Sequence, residues 1–446
     1  RYHEDAGWVS EGVGVLGVNR VDGWEKKRLD ECGMLVSGST PSTSTRSFWN
    51  GEIVWVTPND LSKLNTPYLH NSERRITEKG LRGCSAHLLP AGSLVVSSRA
   101  PIGYVAIAEV PFCTNQGCKA LAPGSAFYPE FVYYNVLFNI DTVKRLGEGT
   151  TFAEISKAAL SRVELSFPTA MAEQTRIAEI LSTVDRAIEQ TEALIAKQQR
   201  IKTGLIEDLL TRGIDEQGNL RSEETHRFKD SPLGRIPVEW EINTLNGCVR
   251  DGSPICYGIL MPGTGSDDGI PVIKVKDISG GQILQNQLLL TDPKIDSHYR
   301  RSRLRMGDLL LSIRGTTGRI AIVPPELEGA NITQDTARVR LKEVHSKQYF
   351  YFLLQSMEVQ DQIQLHALGQ AVKGINIAEV RNISFALPGK HEQRLIAERL
   401  SKVEGSVSMT SRQLRKLRSL KTGLMQDLLT GRVRVTALLS DSEVMG

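Results

Sequence analysis

The sequence lacks the marks of most catalytic classes. No GxxxxGK(S/T) phosphate loop occurs, and the nearest stretch, GTTGR at 315–319, has neither the spacing nor the lysine. No GxGxxG opens a helix after a strand, no HExxH occurs, and the eight histidines are scattered. The Asn/Asp-Pro-Pro-aromatic tetrapeptide of amino-methyltransferases is missing; the sole Pro-Pro lies in VPPEL at 323–327. The six cysteines, Cys32, Cys84, Cys113, Cys118, Cys248 and Cys256, form no CxxC pair and have no histidine-rich neighbour. They read as free thiols in a reducing compartment, so a cytoplasmic location and no metal site are expected. No uncharged apolar run approaches the ~20 residues of a membrane span. The opening RYHEDAGWVSEGVGVLGV carries acids and only a short apolar stretch, unlike a signal peptide. Nor is there a strong charge of one sign: 54 basic against 51 acidic residues leave +3, so a nucleic-acid ligand would need locally gathered Lys and Arg.

What the chain does have is a long stretch written twice. Residues 173–211 and 392–430 align without a gap at an offset of 219. Glu173, Gln174, Ile177, Ala178 and Leu181 recur as Glu392, Gln393, Ile396, Ala397 and Leu400. Lys202, Thr203, Gly204, Leu205 and Leu209 recur as Lys421, Thr422, Gly423, Leu424 and Leu428. Alternating steps of four and three from Ile177 reach Leu181, Val184, Ile188, Thr191, Ile195, Gln198, Lys202, Leu205 and Leu209. From Ile396 they reach Leu400, Val403, Val407, Thr410, Leu414, Leu417, Lys421, Leu424 and Leu428. A 3.5-residue period held this long predicts a helix that pairs with another through a narrow seam. Thr191 matches Thr410 and Lys202 matches Lys421; a polar seam residue costs stability and can fix register. One amphipathic helix packed on its own domain would show the same face, but two copies at one offset favour mutual pairing.

The repeat extends outside the helices. At 446 residues, two or three domains are expected. Trp24 and Leu29 match Trp240 and Leu245; IVWVTPNDL (53–61) resembles PVIKVKDI (271–278); Gly92, Arg99 and Gly103 meet Gly307, Arg314 and Gly318. Gln116 pairs with Gln334 and Tyr133 with Tyr351. Runs such as SLVVSS, YVAIA, DLLLSI and RIAIV are short strands between Gly and Pro turns, 128–139 and 347–357 read as helices, and each half closes on a strand and a proline at 168 or 388. The fold class is therefore α+β, two mixed domains each followed by a long helix, the helices pairing as an antiparallel coiled coil with pseudo-twofold symmetry. The segments are an N-terminal extension (1–20), first domain (21–168), first spacer helix (169–213), linker (214–232), second domain (233–388), second spacer helix (389–432) and a poorly ordered tail (433–446). A 39-residue helix is about 58 Å long, against about 34 Å for a turn of B-DNA.

The best ligand candidates lie in the turns after the matched strands. Ser97, Ser98 and Arg99 precede one Gly-containing turn; Arg314, Thr316, Thr317 and Arg319 line the other. Hydroxyls and backbone amides suit phosphate, and a planar arginine reads guanine or clamps phosphate. Gln116 and Gln334 have the amide that pairs with adenine. Thr150, Thr151 and Lys373 lie in the Gly-led loops before the closing strands. An ordinary hairpin with a solvated arginine, or a glutamine bonded to its own loop, accounts for the same residues.

The chain resembles the specificity subunit of type I restriction–modification systems over nearly its whole length. The resemblance rests on SGSTPSTSTRSFWNGEIVWVTPNDL (37–61), LPAGSLVVSSRAPIG (89–103), the Gly-led loops and strands ending at Pro168 and Pro388, and the helices ending KTGLIEDLLT and KTGLMQDLLT. It implies two target-recognition domains, each reading half of a bipartite double-stranded DNA target, held apart by antiparallel helices. It implies a non-catalytic chain that docks two modification (methyltransferase) subunits, which restriction (translocase/nuclease) subunits join, with S-adenosylmethionine, ATP and Mg on those partners and no membrane. Residues 1–20 have no counterpart in the second half, and the second domain lacks the full 37–49 stretch. A coiled-coil scaffold, or a nuclease or methyltransferase with an unrecognised motif, is the alternative.

Overall fold

A computed structural model describes residues 21–147, 154–265, 267–367 and 374–439. Its contacts divide the chain into two compact units, Arg1–Thr191 with Gln413–Gly446 and Glu192–Arg412. The long helices are Met171–Thr211 and Lys390–Leu428. The first unit thus takes the opening part of the first long helix and the closing part of the second; the second unit takes the remainder of each.

Among its described residues the first unit has ten strands: β1 (Trp24–Arg28), β2 (Gly33–Ser37), β3 (Trp49–Val56), β4 (Tyr68–Leu69), β5 (Arg75–Ile76), β6 (Leu94–Ser97), β7 (Val105–Ala108), β8 (Phe112–Thr114), β9 (Cys118–Pro123) and β10 (Glu164–Pro168). Five form one sheet in the order β2-β9-β6-β7-β4, three form another in the order β5-β3-β8, and β1 pairs antiparallel with β10. β6 and β7 are buried at every residue, because alternate side chains face two different cores. Leu94, Val96, Val105 and Ile107 pack with the helix Pro129–Phe138 and the long helices, while Val95, Ala106 and Ala108 pack with Val54, Val56 and Phe112. The second unit repeats the scheme: Leu309 and Leu311 join the helix-lined core, Leu310 and Ala321 the other. The helix expected over 347–357 is two, Lys347–Leu353 and Met357–Leu365, because Ser356 accepts the Val359 N–H and starts a new N-terminus.

Every seam position named from the periodicity is buried or half-buried. In the first unit Ile177, Ala178 and Leu181 share a core with Met425, Leu428 and Leu429. Glu173 binds Arg434 through two contacts of 2.7 and 2.8 Å, and Asp185 lies 2.6 Å from Lys421. As one segment ascends from 173 to 185 its partner descends from 434 to 421, an antiparallel sense. In the second unit Ile206, Leu209 and Leu210 share a core with Ile396, Ala397 and Leu400, and Lys202 lies 2.6 Å from Glu404.

The matched seam lysines thus have acidic partners, while Thr191 and Thr410 donate to the Ala187 and Ser406 carbonyls of their own helices. Asp185 and Glu404 are themselves equivalent at the 219 offset, and each also accepts a tyrosine hydroxyl, Tyr134 at 2.8 Å and Tyr351 at 3.0 Å. Burial, with the carboxylate beside it, holds each phenol well above its ordinary pKa. The repeat register at this point therefore couples Tyr134, not Tyr133, to Tyr351. Gln174 and Gln393 fix the helix starts: their side-chain amides donate to the Pro168 and Pro388 carbonyls, and their oxygens accept from the Tyr128 and Ser346 N–H groups.

Residues 214–232, expected as a plain linker, fold. Ile214 bridges Leu220, and Phe228–Ser231 pairs antiparallel with Gly234–Pro237. The reason is Glu392, on which Arg221, the Ile214 N–H and the Trp240 indole converge. The start of the expected loose tail is likewise held, by Arg434 on Glu173 and by buried Val435. The extension 1–20 lies outside the described residues.

Lys421→Met leaves Asp185 buried without its cation. The variant should lose about 3 kcal/mol in urea unfolding, and Asp185→Leu added to it should recover much of that loss. An unchanged midpoint in the single variant would refute the ion pair's role. A second expectation concerns pH. Burial, with Glu207 nearby, pushes Glu358 up to about 7, and its Oε1 has no partner among the described residues. The folded state then holds this proton where the unfolded chain has released it, so stability falls as pH rises from about 4.5 through about 7. Glu358→Gln removes the titration, and its Tm should gain on the wild type between pH 5 and pH 8.

Candidate nucleic-acid interface

The turn after β6 is built from the inside. Ser97 is fully buried; its hydroxyl donates to the Pro101 carbonyl at 2.7 Å and accepts the Tyr104 N–H at 2.8 Å. Its counterpart Ser312 donates to the Thr316 carbonyl at 2.6 Å and accepts the Arg319 N–H at 2.8 Å. Gly103 (φ 93°) and Gly318 (φ 84°) close the two turns in the left-handed region. The recurring Arg-x-x-x-Gly pattern is therefore partly architecture. Ser98 is also buried and accepts from Lys119 Nζ at 3.1 Å. Ser97 and Ser98 present no surface to a duplex, which removes them as contact candidates.

The two arginines of the pattern have different fates. Arg99 lies 2.9 Å from Glu154, whose carboxyl is held below its usual range chiefly by that hydrogen bond. Lys119, beneath the turn, is pushed down by burial against the opposing pull of Glu154. Arg99 is thus largely neutralised. Arg314 is exposed, and among the described residues nothing accepts from its guanidinium. It lines an open cleft of about 630 Å³ with Lys276, Ser279, Thr316, Arg319 and Asp335. Arg319 donates to the Val275 and Ile278 carbonyls at 3.2 and 2.8 Å, so it braces the wall. Thr317 accepts from Gln364 at 3.3 Å. Gln334 is half-buried, and its backbone N–H bonds to Ile259. Thr150, Thr151 and Lys373 lie outside the described residues.

In the first unit Gln116 is exposed, and its amide oxygen accepts from the Thr40 hydroxyl. Thr40 belongs to the hydroxyl-rich loop before β3, which two buried indoles pin in place: Trp55 donates to the Ser39 carbonyl and Trp49 to the Ser42 carbonyl, each at 3.0 Å. Thr43 and Ser44 are left exposed. The two units therefore offer different polar surfaces on matched frames, a hydroxyl-rich loop in one and a cleft carrying Arg314 and Lys276 in the other. Sequence reasoning missed Lys276, Ser279 and Asp335, which only the fold brings beside Arg314. The signal for the loop was available in its density of Ser and Thr. Among the described residues no group of three or more His, Cys, Asp and Glu side chains is arranged to hold a metal ion, and no helix is long and apolar enough to cross a membrane.

Residues 21–198 and 267–418 match the family model described as the type I restriction modification DNA specificity domain. The chain is 28% identical over 428 residues to the type I restriction enzyme MjaIX specificity subunit of Methanocaldococcus jannaschii, covering 93% of this chain and 94% of that one. It is 26% identical over 326 residues to the EcoBI specificity subunit of Escherichia coli, covering 72% and 68%. Among solved structures it is similar to the S subunit of a type I restriction–modification system from M. genitalium, with a TM-score of 0.54, 15% identity and coverage of 93% and 98%. A chain from a structure of type I R-M complex assembly gives a TM-score of 0.57 at 16% identity, covering 94% and 100%. At such identities the structural likeness speaks to the fold.

Proposed function

Because the chain belongs to the type I restriction–modification DNA specificity family, we propose that it reads a bipartite duplex-DNA target, one half per unit, and docks modification subunits. The observation that carries this is a duplicated frame bearing two unlike polar surfaces. Two identical readers would need no divergence, and a scaffold would need no cleft lined by Arg314 and Lys276, whose cationic groups have no partner among the described residues. Arginine and lysine in such a cleft suit phosphate oxygens and guanine edges. The chain catalyses nothing itself and works in the cytoplasm. S-adenosylmethionine, ATP and Mg belong to its methyltransferase and translocase/nuclease partners.

The helices supply the docking surface in this reading. Ile201 and Leu420 are equivalent at the 219 offset, sit off the seam, and are 46% and 51% exposed. Gly204 and Gly423 lie three residues on, on the same face, and a Cβ at either would meet nothing in this chain. Glycine inside a helix costs about 1 kcal/mol relative to alanine. Two equivalent apolar patches with room for close approach suit two copies of one partner.

Selection from random duplex DNA, with the chain co-expressed with its modification subunit, should enrich two short motifs at one fixed separation. Arg314→Ala should weaken enrichment of one motif and leave the other. An assembled complex that binds DNA without enriching any motif would replace this reading with the scaffold. For docking, Ile201→Lys and Leu420→Lys should each reduce the bound modification subunits from two to one, measured by native mass spectrometry. Full stoichiometry in the double variant would refute the patches.

A further inference from the structure

We propose that Arg74 is a specificity-determining residue of the first unit and reads a guanine in its half-site; this rests on the reading of the chain as a duplex-DNA recognition subunit. The guanidinium carbon of Arg74 lies 3.6 Å above the centroid of the Trp49 ring and 5.5 Å from that of Trp55. The two indoles meet edge to face, 5.1 Å apart at 86°. They form a rigid platform: Trp49 and Trp55 are 9% and 3% exposed, and both indole N–H groups are bonded to the loop before β3.

The backbone of Arg74 is held as firmly. Its carbonyl accepts from the Ser72 hydroxyl at 2.6 Å, and the preceding Glu73 N–H donates to Asp60 at 2.7 Å. Immediately after it the chain enters β5, which pairs with β3. Yet Arg74 is exposed, and among the described residues no hydrogen bond or ion pair takes its guanidinium donors. Its neighbours differ: Arg75 bonds Asn71 and Glu52, and Arg99 bonds Glu154.

This combination selects a base edge over a phosphate. A phosphate accepts a cation from many directions, so a freely moving lysine or arginine serves it. Guanine O6 and N7 require two parallel N–H donors in the plane of the base. At 3.6 Å from the ring, Trp49 covers the guanidinium on one side and restricts its swing, and the donors, which have no partner among the described residues, are available to a base edge. Exposed hydroxyls of the neighbouring loop, Thr43 and Ser44, suit the flanking phosphates. Among the described residues the second unit has no such platform: the capping boxes Thr57/Asp60 and Lys274/Asp277 align the strands so that Val272 stands where β3 carries Trp55. The feature therefore belongs to one half-site only.

The test is the same random-duplex selection, run on the assembled complex with wild type, Arg74→Ala and Arg74→Lys. Both variants should lose a guanine preference at one position of one half-site, with affinity for that guanine falling about tenfold or more. The other half-site and the separation should persist, which also reports that the variants are folded. Lysine should not rescue, because an ammonium has no planar fork. An unaltered consensus with a uniform drop in affinity and a shallower salt dependence would make Arg74 a phosphate contact and overturn the inference. Unaltered consensus and affinity would reduce the stack to a structural role and overturn it too. A wild-type complex that enriches no bipartite motif would instead overturn the DNA reading itself, and this inference with it.

Discussion

A carboxylate shared by three chain segments couples each recognition domain to the helices. Asp185 takes the hydroxyl of Tyr134 from the domain and the ammonium of Lys421 from the second long helix. Glu404 takes Tyr351 and Lys202 in the same way. Asp185 is buried and Glu404 half-buried, and a carboxylate withdrawn from water is costly unless its lone pairs are filled, so each acid favours the register that brings it both partners. Glu173 with Arg434 and Glu392 with Arg221 repeat the device at the helix starts. Gln174 and Gln393 then tie those starts to the closing strands through Pro168 and Pro388. The chain's specificity function is a matter of where rigid surfaces are held, and these polar contacts are what holds them.

Internal duplication separates frame from surface. Ser97 and Ser312, Gly103 and Gly318, and the paired Glu, Gln and Lys of the helices recur because each closes a turn or fills a buried partner. The positions that face outward have diverged: among the described residues Arg99 is spent on Glu154 while nothing accepts from the Arg314 guanidinium, and the Trp49 and Arg74 contact has no equivalent. The proposed reading of two unlike half-sites calls for that arrangement, one skeleton carrying two chemistries.

The two long helices and their apolar faces were legible in the sequence because a 3.5-residue period is a local property, and every position it named is buried or half-buried. The strands SLVVSS, YVAIA, DLLLSI and RIAIV were legible for the same reason. Legibility failed where long-range contacts decide. Ser97 and Ser98 have the look of phosphate ligands, and only the fold shows both turned inward. The stretch 214–232 has no period, yet it folds because Glu392, far away in sequence, gathers Arg221 and Ile214.

By itself the sequence determined the duplication, the helix period, the strand and turn chemistry, and the absence of familiar catalytic motifs, all of which depend on residue types at fixed local spacings. The tertiary structure alone decided which acid answers each seam lysine, which of two matched arginines is paired with a carboxylate among the described residues, and that Arg74 lies over Trp49. Those are questions of distance between residues remote along the chain, and side-chain chemistry at one position cannot report what stands opposite it.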